Sequence, residues 1–451
     1  MPPSIPFYHV RNPSVYVPLE TVLKTNNTTD GYYIPQQIPI LSDSLIYKNP
    51  PPSFRDIAFE VFRSFFRDVI PESDLYTIIA HAFSFKVPVF PIDPRTYILE
   101  LTHGDSGSYT DFGARFTAQL IAYFHRRNDI PLHILFTGDE LETLSLARAF
   151  SEFEDIHASF LYSKNDFQNM IKQQFSSLPK HIHMFEVDNP STDCQAIVQK
   201  TLADTDITRS MELFVPHVAH VGFLLSQVCC CIYAALTVLS RAGYDNSIEK
   251  PQLIIGVPLK QPNAVSAAIL AKKMGAPISG FIATADSSCS TPENTYREEC
   301  TRLKMLYAHG SPERHTPEVA LFRFSQDSVL DAIRDCNDRT GYVVSPAIAE
   351  VWWAWSSIKN GFSETDETIE SLCSGGRLLP QWLSDDYTAQ SCITVIPEIS
   401  HPAFYAEAIR TATGRYPSVP NRFEYTPQIN RDPVIECSSA QDLKDWLLSL
   451  V

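Results

Sequence analysis

The chain has 451 residues, 44% of them hydrophobic and 20% charged, which excludes a disordered or collagen-like protein. At about 150 residues per domain it has room for two or three domains. Its 36 Lys and Arg against 52 Asp and Glu give a net charge of -16, the wrong balance for a nucleic-acid partner whose phosphates must be neutralised. With 16 glycines against 33 prolines, the chain also has few loops whose backbone can close on a phosphate.

In chain order, the first ninety residues are proline-rich. Helical spacing then sets in over Phe54 to Val69, and a further helix starts at Pro71-Glu72-Ser73-Asp74. From there strands and helices alternate. Tyr97 to Leu101, Leu132 to Phe136, Ile156 to Tyr162, His183 to Val187, Leu253 to Val257 and Ile278 to Thr284 read as strands. Phe116 to Phe124, Leu141 to Phe153 and Val265 to Met274 read as helices between them. This alternation predicts an α/β fold with two parallel-sheet domains. Val221 to Leu239 carries no charge and is long enough to span a bilayer, yet Ser226, Gln227 and Thr237 interrupt it, so it reads as a buried core helix and no membrane is expected. The start Met1-Pro2-Pro3-Ser4 lacks a leader pattern, which sets the expectation of a cytoplasmic protein. Ten cysteines without a CxxC pair, three of them consecutive at Cys229, Cys230 and Cys231, read as buried thiols. Trp352, Trp353 and Trp355 mark either an interface or a packed helix.

Two short motifs carry little. Gly104-Asp105-Ser106-Gly107 matches the surroundings of a trypsin-like nucleophile, but that chemistry sits on a two-barrel β fold and this region is α/β. His217 and His220 share a helical spacing, but zinc needs at least three protein ligands.

Leu99-Glu100-Leu101-Thr102-His103-Gly104 runs into Tyr109-Thr110-Asp111-Phe112-Gly113-Ala114-Arg115-Phe116. This stretch resembles the L-E-L-F-H-G-P-T-L-A-F-K-D-F-G-x-R-F segment of the threonine synthase family. Tyr8, Gly31 to Pro35, Ile70-Pro71, Ala82-Phe83, Leu253 to Ala285 and Ser400-His401-Pro402-Ala403 resemble further parts of it. The resemblance implies a pyridoxal 5'-phosphate (PLP) fold-type II scaffold, tryptophan synthase β-like. It also implies a threonine synthase-like N-terminal domain over 1–92, a large domain over 93–130 and 211–451, and a small α/β domain over 131–210. Members convert O-phosphohomoserine and water to threonine and phosphate, with PLP held as a Schiff base on the lysine of F-K-D-F-G.

Here that position is Thr110, whose hydroxyl cannot form an imine; the nearest lysines in sequence are Lys86 and Lys164. The other site segments depart as well. The family's S-G-D-T-G falls on Asp139-Glu140-Leu141-Glu142-Thr143, where three carboxylates would repel an anion. The phosphate loop V-P-S-G-N-F-G-D becomes Val257 to Ala264, with Lys260 and Asn263 at the glycine positions and Pro262 removing a donor. N-S-I-N-I-S-R becomes His217 to Phe223, and Ile399 replaces the threonine that faces the pyridine nitrogen. The expectation is therefore a threonine synthase-like pseudoenzyme with no PLP, whose cleft or surface binds a small molecule or a protein. The alternatives are an active PLP-dependent threonine synthase and a PLP-independent enzyme of another class. Candidate cleft residues are His103, Asp105, Ser106, Ser108, Thr110, Asp111, Arg115, His217, His220, Lys260, Gln261, Asn263 and His401. Asp111 and Arg115 fit the family pattern best, although Asp-Phe-Gly before a helix would also serve as capping chemistry.

Overall fold

Uncharged runs rich in Ile, Val and Phe form the central strands of this protein, and amphipathic stretches form the helices that cover them. The computed structural model describes residues 5–9, 12–23, 33–126, 130–164, 168–188, 191–217, 220–241, 251–287, 297–308, 318–360, 367–368, 392–423 and 434–450. Gly31 and Tyr32 lie outside the described residues. The strands are β1 (Phe7–His9), β2 (Asn12–Val17), β3 (Tyr33–Pro35), β4 (Val89–Asp93), β5 (Thr96–Glu100), β6 (Leu132–Thr137), β7 (His157–Ser163), β8 (Ile182–Val187), β9 (Glu212–Phe214), β10 (Gln252–Pro258), β11 (Gly280–Asp286), β12 (Val319–Phe324), β13 (Glu367–Thr368), β14 (Cys392–Glu398) and β15 (Val434–Glu436).

They make three sheets. A seven-stranded sheet has the order β13-β12-β11-β10-β14-β5-β4, with β4 and β13 as antiparallel edges on a parallel centre. A five-stranded parallel sheet has the order β15-β8-β7-β6-β9. β1 to β3 form a small antiparallel sheet near the N-terminus. The α/β class and the fold-type II architecture are as the sequence predicts. Two pieces fall on the other side of the expected boundary at residue 210. β9 and β15 both pair within the five-stranded sheet, and the helix Ala440–Leu448 packs its Leu443 and Leu447 against Cys194 and Val198 there.

The Val221–Arg241 helix is the central pillar. It is long and apolar enough to cross a membrane by composition alone, but it is buried almost throughout, among the helices Phe54–Phe66, Thr110–His125 and Ala264–Lys273. Its three thiols are buried, and the described cysteines form no disulfide. The tryptophans resolve as packing. Trp352 and Trp355 are fully buried, with Trp355 Nε1 donating to Thr96 Oγ1 at 2.7 Å and Trp352 Nε1 to Asp335 at 2.9 Å. The Phe54–Phe66 helix opens on a capping box. Ser53 Oγ accepts from the Asp56 N–H, and the Asp56 carboxylate accepts from the Ser53 N–H. Its Phe62 stacks on Phe116 with ring centroids 3.8 Å apart, which ties the N-terminal helices to the Thr110 helix.

That last helix begins at Thr110, six residues ahead of the expected Phe116, so Asp111, Phe112 and Gly113 form its first turn and do not cap it. The reason is steric. A Cβ on Gly113 would overlap the Phe223 ring and lie 2.8 Å from the Phe223 Cα. Only glycine lets the first turn rest against the backbone of the Val221 helix. At a free helical site Gly→Ala would stabilise by about 1 kcal/mol. Here Gly113→Ala is expected to destabilise by about 2 kcal/mol or more, because the clash is with backbone. Urea denaturation of the two proteins decides the sign, and a stabilised variant would refute the close approach.

Candidate functional site

The loop from β5 to the Thr110 helix is held from within. Asp111 reaches back to the Ser106 N–H, its two carboxyl oxygens 3.0 and 3.2 Å from that nitrogen. Gly104 lies so close to the Asp111 side chain that a Cβ there would overlap it, and Gly107 has φ +72°. This packing brings four hydroxyls together in the buried interior. Thr110 Oγ1 lies 3.0 Å from Ser108 Oγ and in short contact with Ser145 Oγ, which is itself 2.8 Å from Ser106 Oγ. Ser108 Oγ also donates to the Ile399 carbonyl at 3.3 Å. Ser106, Ser108, Thr110 and Asp111 therefore converge. Ser145 was not among the candidates; its place one turn into the Glu140–Phe150 helix, facing Thr110, is set by tertiary packing.

The second half of the cleft is the turn from β10 into the Ala264–Lys273 helix. Asn263 adopts φ 65°, the left-handed region that glycine normally fills, and its side-chain carbonyl accepts from the fully buried Arg302. The free N–H groups at the start of this helix would ordinarily receive an anion. One of them, Ser266 N, instead donates to the buried Glu299 carboxylate at 2.7 Å. Lys260 leaves the turn to pair at 2.9 Å with Glu350, whose side chain is 2% exposed. Burial raises the Glu350 carboxyl and the Lys260 charge holds it down. Gln261 Oε1 is buried with no hydrogen-bond partner among the described residues. Lys260, Gln261 and Asn263 thus sit in one turn, and Glu350 and Arg302, which pair with Lys260 and Asn263, come from helices that no sequence spacing links to it.

The third element is the start of the Glu140–Phe150 helix. Asp139 caps its helix, accepting from Leu141 N at 2.9 Å and Glu142 N at 2.8 Å. Glu140 turns away to Gln168. Glu142 is held well above the usual carboxyl range by burial and by the Asp139 charge. Burial, with Glu142, Asp139 and Glu299 adding, also raises the Tyr109 phenol well above its ordinary value. Carboxyl groups from two elements thus act on the residue next to Thr110.

The remaining candidates are not cleft groups, or belong elsewhere. Arg115 points to the N-terminal helices, donating to the Ala82 carbonyl at 3.0 Å and the His81 carbonyl at 2.9 Å, and pairs with the exposed Asp105 at 2.5 Å. His220 is buried just ahead of the Val221–Arg241 helix, where burial pushes it down to about 4 and its Nδ1 accepts from Gly222 N. His217 precedes it, its carbonyl accepting from His220 N. His103 and His401 line a separate pocket, described below.

Taken as a receptor for PLP, these residues do not fit: position 110 offers no amine, and an internal carboxylate already occupies an N–H at the helix start.

The sequence relatives share the scaffold. Residues 10–83 match the family model described as threonine synthase N terminus. The chain is 23% identical over 422 residues to threonine synthase of Haemophilus influenzae, covering 90% of this chain and 91% of that protein. It is 28% identical over 287 residues to that of Buchnera aphidicola (Schizaphis graminum), covering 63% of this chain and 65% of that protein, just under two thirds of its length. The chain is thus similar to threonine synthases along most of its length. Solved threonine synthases share its fold. That of Escherichia coli superposes with a TM-score of 0.77 at 18% identity over 99% of this chain and 100% of its own. The PLP-bound threonine synthase of Brucella melitensis gives 0.73 at 16% identity over 98% and 99%.

Within this threonine synthase scaffold, Asp111 supplies a direct test of the loop. Burial pushes its carboxyl up to about 7, against the opposing Ser106 hydrogen bond and with the Asp105 charge adding. Since an unfolded aspartate titrates near ~4, the unfolded chain releases this proton first. Stability contributed by the neutral carboxyl is full below about pH 4 and is lost as pH rises to about 7. Asp111→Asn keeps the neutral form at every pH. Its stability relative to the parent should therefore improve by about 2–3 kcal/mol between about pH 5 and about pH 8. Parallel denaturation curves at the two pH values would contradict the assignment.

Proposed function

We propose that this member of the threonine synthase family no longer performs PLP chemistry and uses the retained scaffold for binding. The carrying observation is Thr110, a buried hydroxyl bonded to Ser108 where the family resemblance places the Schiff-base lysine. A hydroxyl cannot condense with an aldehyde to an imine, so the covalent anchor and the proton-moving amine are both missing at that position. Glu299 on Ser266 N and Glu350 on Lys260 support the reading, since each places a fixed carboxylate where the family would bring a phosphate. PLP would face repulsion there and loss of its N–H donors.

The comparisons by themselves favour the second reading, an active PLP-dependent threonine synthase acting on O-phosphohomoserine. The relatives named above are threonine synthases, and one solved structure with this fold is PLP-bound. On that reading a lysine elsewhere carries the chemistry; among the residues of the phosphate turn this would be Lys260, released from Glu350.

One experiment separates the two. The purified protein is incubated with PLP, reduced with borohydride and digested for mass spectrometry. The proposal expects no phosphopyridoxyl-lysine in the cleft, and an adduct on Lys260 or another cleft lysine would establish the second reading. A companion variant tests whether Thr110 is the sole defect. Thr110→Lys is expected to restore neither tight PLP binding nor threonine release from O-phosphohomoserine. Each lost hydrogen bond to a charged group costs about 1.5–3 kcal/mol, and several are missing together. Threonine release by that single variant would mean the rest of the site is still functional.

A further inference from the structure

A pocket of about 780 Å³ opens at the C-terminal ends of β5 and β14. Strand alternation places it across the sheet from the Thr110 cluster. Glu100 and Glu398 share parity with Ile98 and Ile396, which pack on the Trp352 side. Leu99, on the opposite parity, packs in the cluster that holds Phe112. The pocket is therefore a separate site, and it does not depend on whether the Thr110 site is active.

Its floor is an unusual charge arrangement. Glu100 and Glu398 are register partners on adjacent parallel strands, so two carboxyl groups stand side by side. Like charges directly paired across strands repel. Glu100 is held by the Tyr342 hydroxyl at 3.1 Å and by His103 Nε2 at 2.6 Å. Glu398 accepts from Ser345 N at 3.0 Å and Ser345 Oγ at 2.6 Å. Burial nonetheless pushes its carboxyl up to about 7, with the Glu100 charge adding to the shift. A cation seated between the two would remove the repulsion. Other parts of the lining carry the opposite sign. Arg415 and Arg422 lie there, and Arg422 is braced by donating to the Thr102 carbonyl at 2.6 Å and lying 4.6 Å over the Phe423 ring. His401 lines the pocket as well, but burial pushes it down to about 4, so it adds no charge near neutral pH.

We infer that this pocket binds a small zwitterion, with an ammonium between Glu100 and Glu398 and a carboxylate on Arg415 and Arg422. Pockets of ~300–1,000 Å³ take ligands larger than a single amino acid, which points to a peptide of two or three residues with free ends. A diamine would leave the arginine wall unmatched, and a dicarboxylate would add charge to the acidic floor.

The test is calorimetric titration of the full chain with Ala-Ala-Ala, its N-acetyl derivative and its C-terminal amide. Saturable binding of the free tripeptide is expected, weakened about tenfold or more by blocking either end, the usual consequence of losing a charged hydrogen-bonding group. Glu100→Gln and Arg415→Ala should each reproduce the loss for the matching end. Arg415 is exposed, so its truncation leaves the fold unaffected, and the blocked peptides test the unaltered protein. Absence of binding at millimolar tripeptide, or equal binding of the blocked peptides, would overturn the assignment. Neither outcome bears on PLP, so the reading of the Thr110 site stands or falls separately.

Discussion

A helix that starts at the end of a strand presents unsatisfied N–H groups to whatever lies in front of it, and that requirement governs the cleft of this protein. Ser266 N, at the start of the Ala264 helix, meets it with Glu299 from the same chain. Once an internal carboxylate sits there, the turn before it no longer needs glycine for close approach to a phosphate. Asn263 can hold its left-handed conformation against Arg302, and Lys260 is free to pair with Glu350. A group that is satisfied internally also costs desolvation to release. Glu299, Arg302 and Glu350 thus satisfy the helix start, the left-handed residue and the lysine of this turn from within the chain.

The scaffold behind that turn obeys different constraints. The Thr110 helix must lie against both the Val221 helix and the N-terminal phenylalanines. Gly113 permits the first contact, and Phe116 stacked on Phe62 makes the second. Arg115 strengthens the same junction through the Ala82 and His81 carbonyls. None of these groups needs a cofactor to be useful, so Asp-Phe-Gly and the arginine two residues after it are accounted for by packing alone.

This division explains what could be read from the sequence. The central strand β10 is an uncharged run buried on both faces, and that pattern is visible in one dimension, whereas β14, which ends on Glu398, was not read as a strand. The residue types of the Thr110 loop were also legible, and Ser106, Ser108, Thr110 and Asp111 do meet. Glu299, Arg302, Glu350 and Ser145 were not legible as site residues, because only the tertiary arrangement brings them to the cleft. The partners of the three carboxyl groups were not legible either: Asp139 caps its helix, Glu140 turns to Gln168, and Glu142 is buried beside Asp139. The helix start was placed six residues late because the pattern of apolar residues does not show that Gly113 must touch Phe223.

The same physics sets how far the cleft stands from amine chemistry. Thr110 is 2% exposed, and its hydroxyl is satisfied by Ser108 and Ser145, so the volume a lysine would enter is already filled with mutually bonded hydroxyls. An ammonium placed there would need both a partner and a path to the cleft, while its neighbours would lose theirs. Burying a charge without full hydrogen bonding costs several kcal/mol, more than one restored covalent contact readily offsets. Changing the hydroxyls alone leaves Glu299 on the helix start, and changing Glu299 alone leaves no amine. The hydroxyl cluster around Thr110 and the carboxylate on the Ser266 N–H are thus held by different partners in the two halves of the cleft.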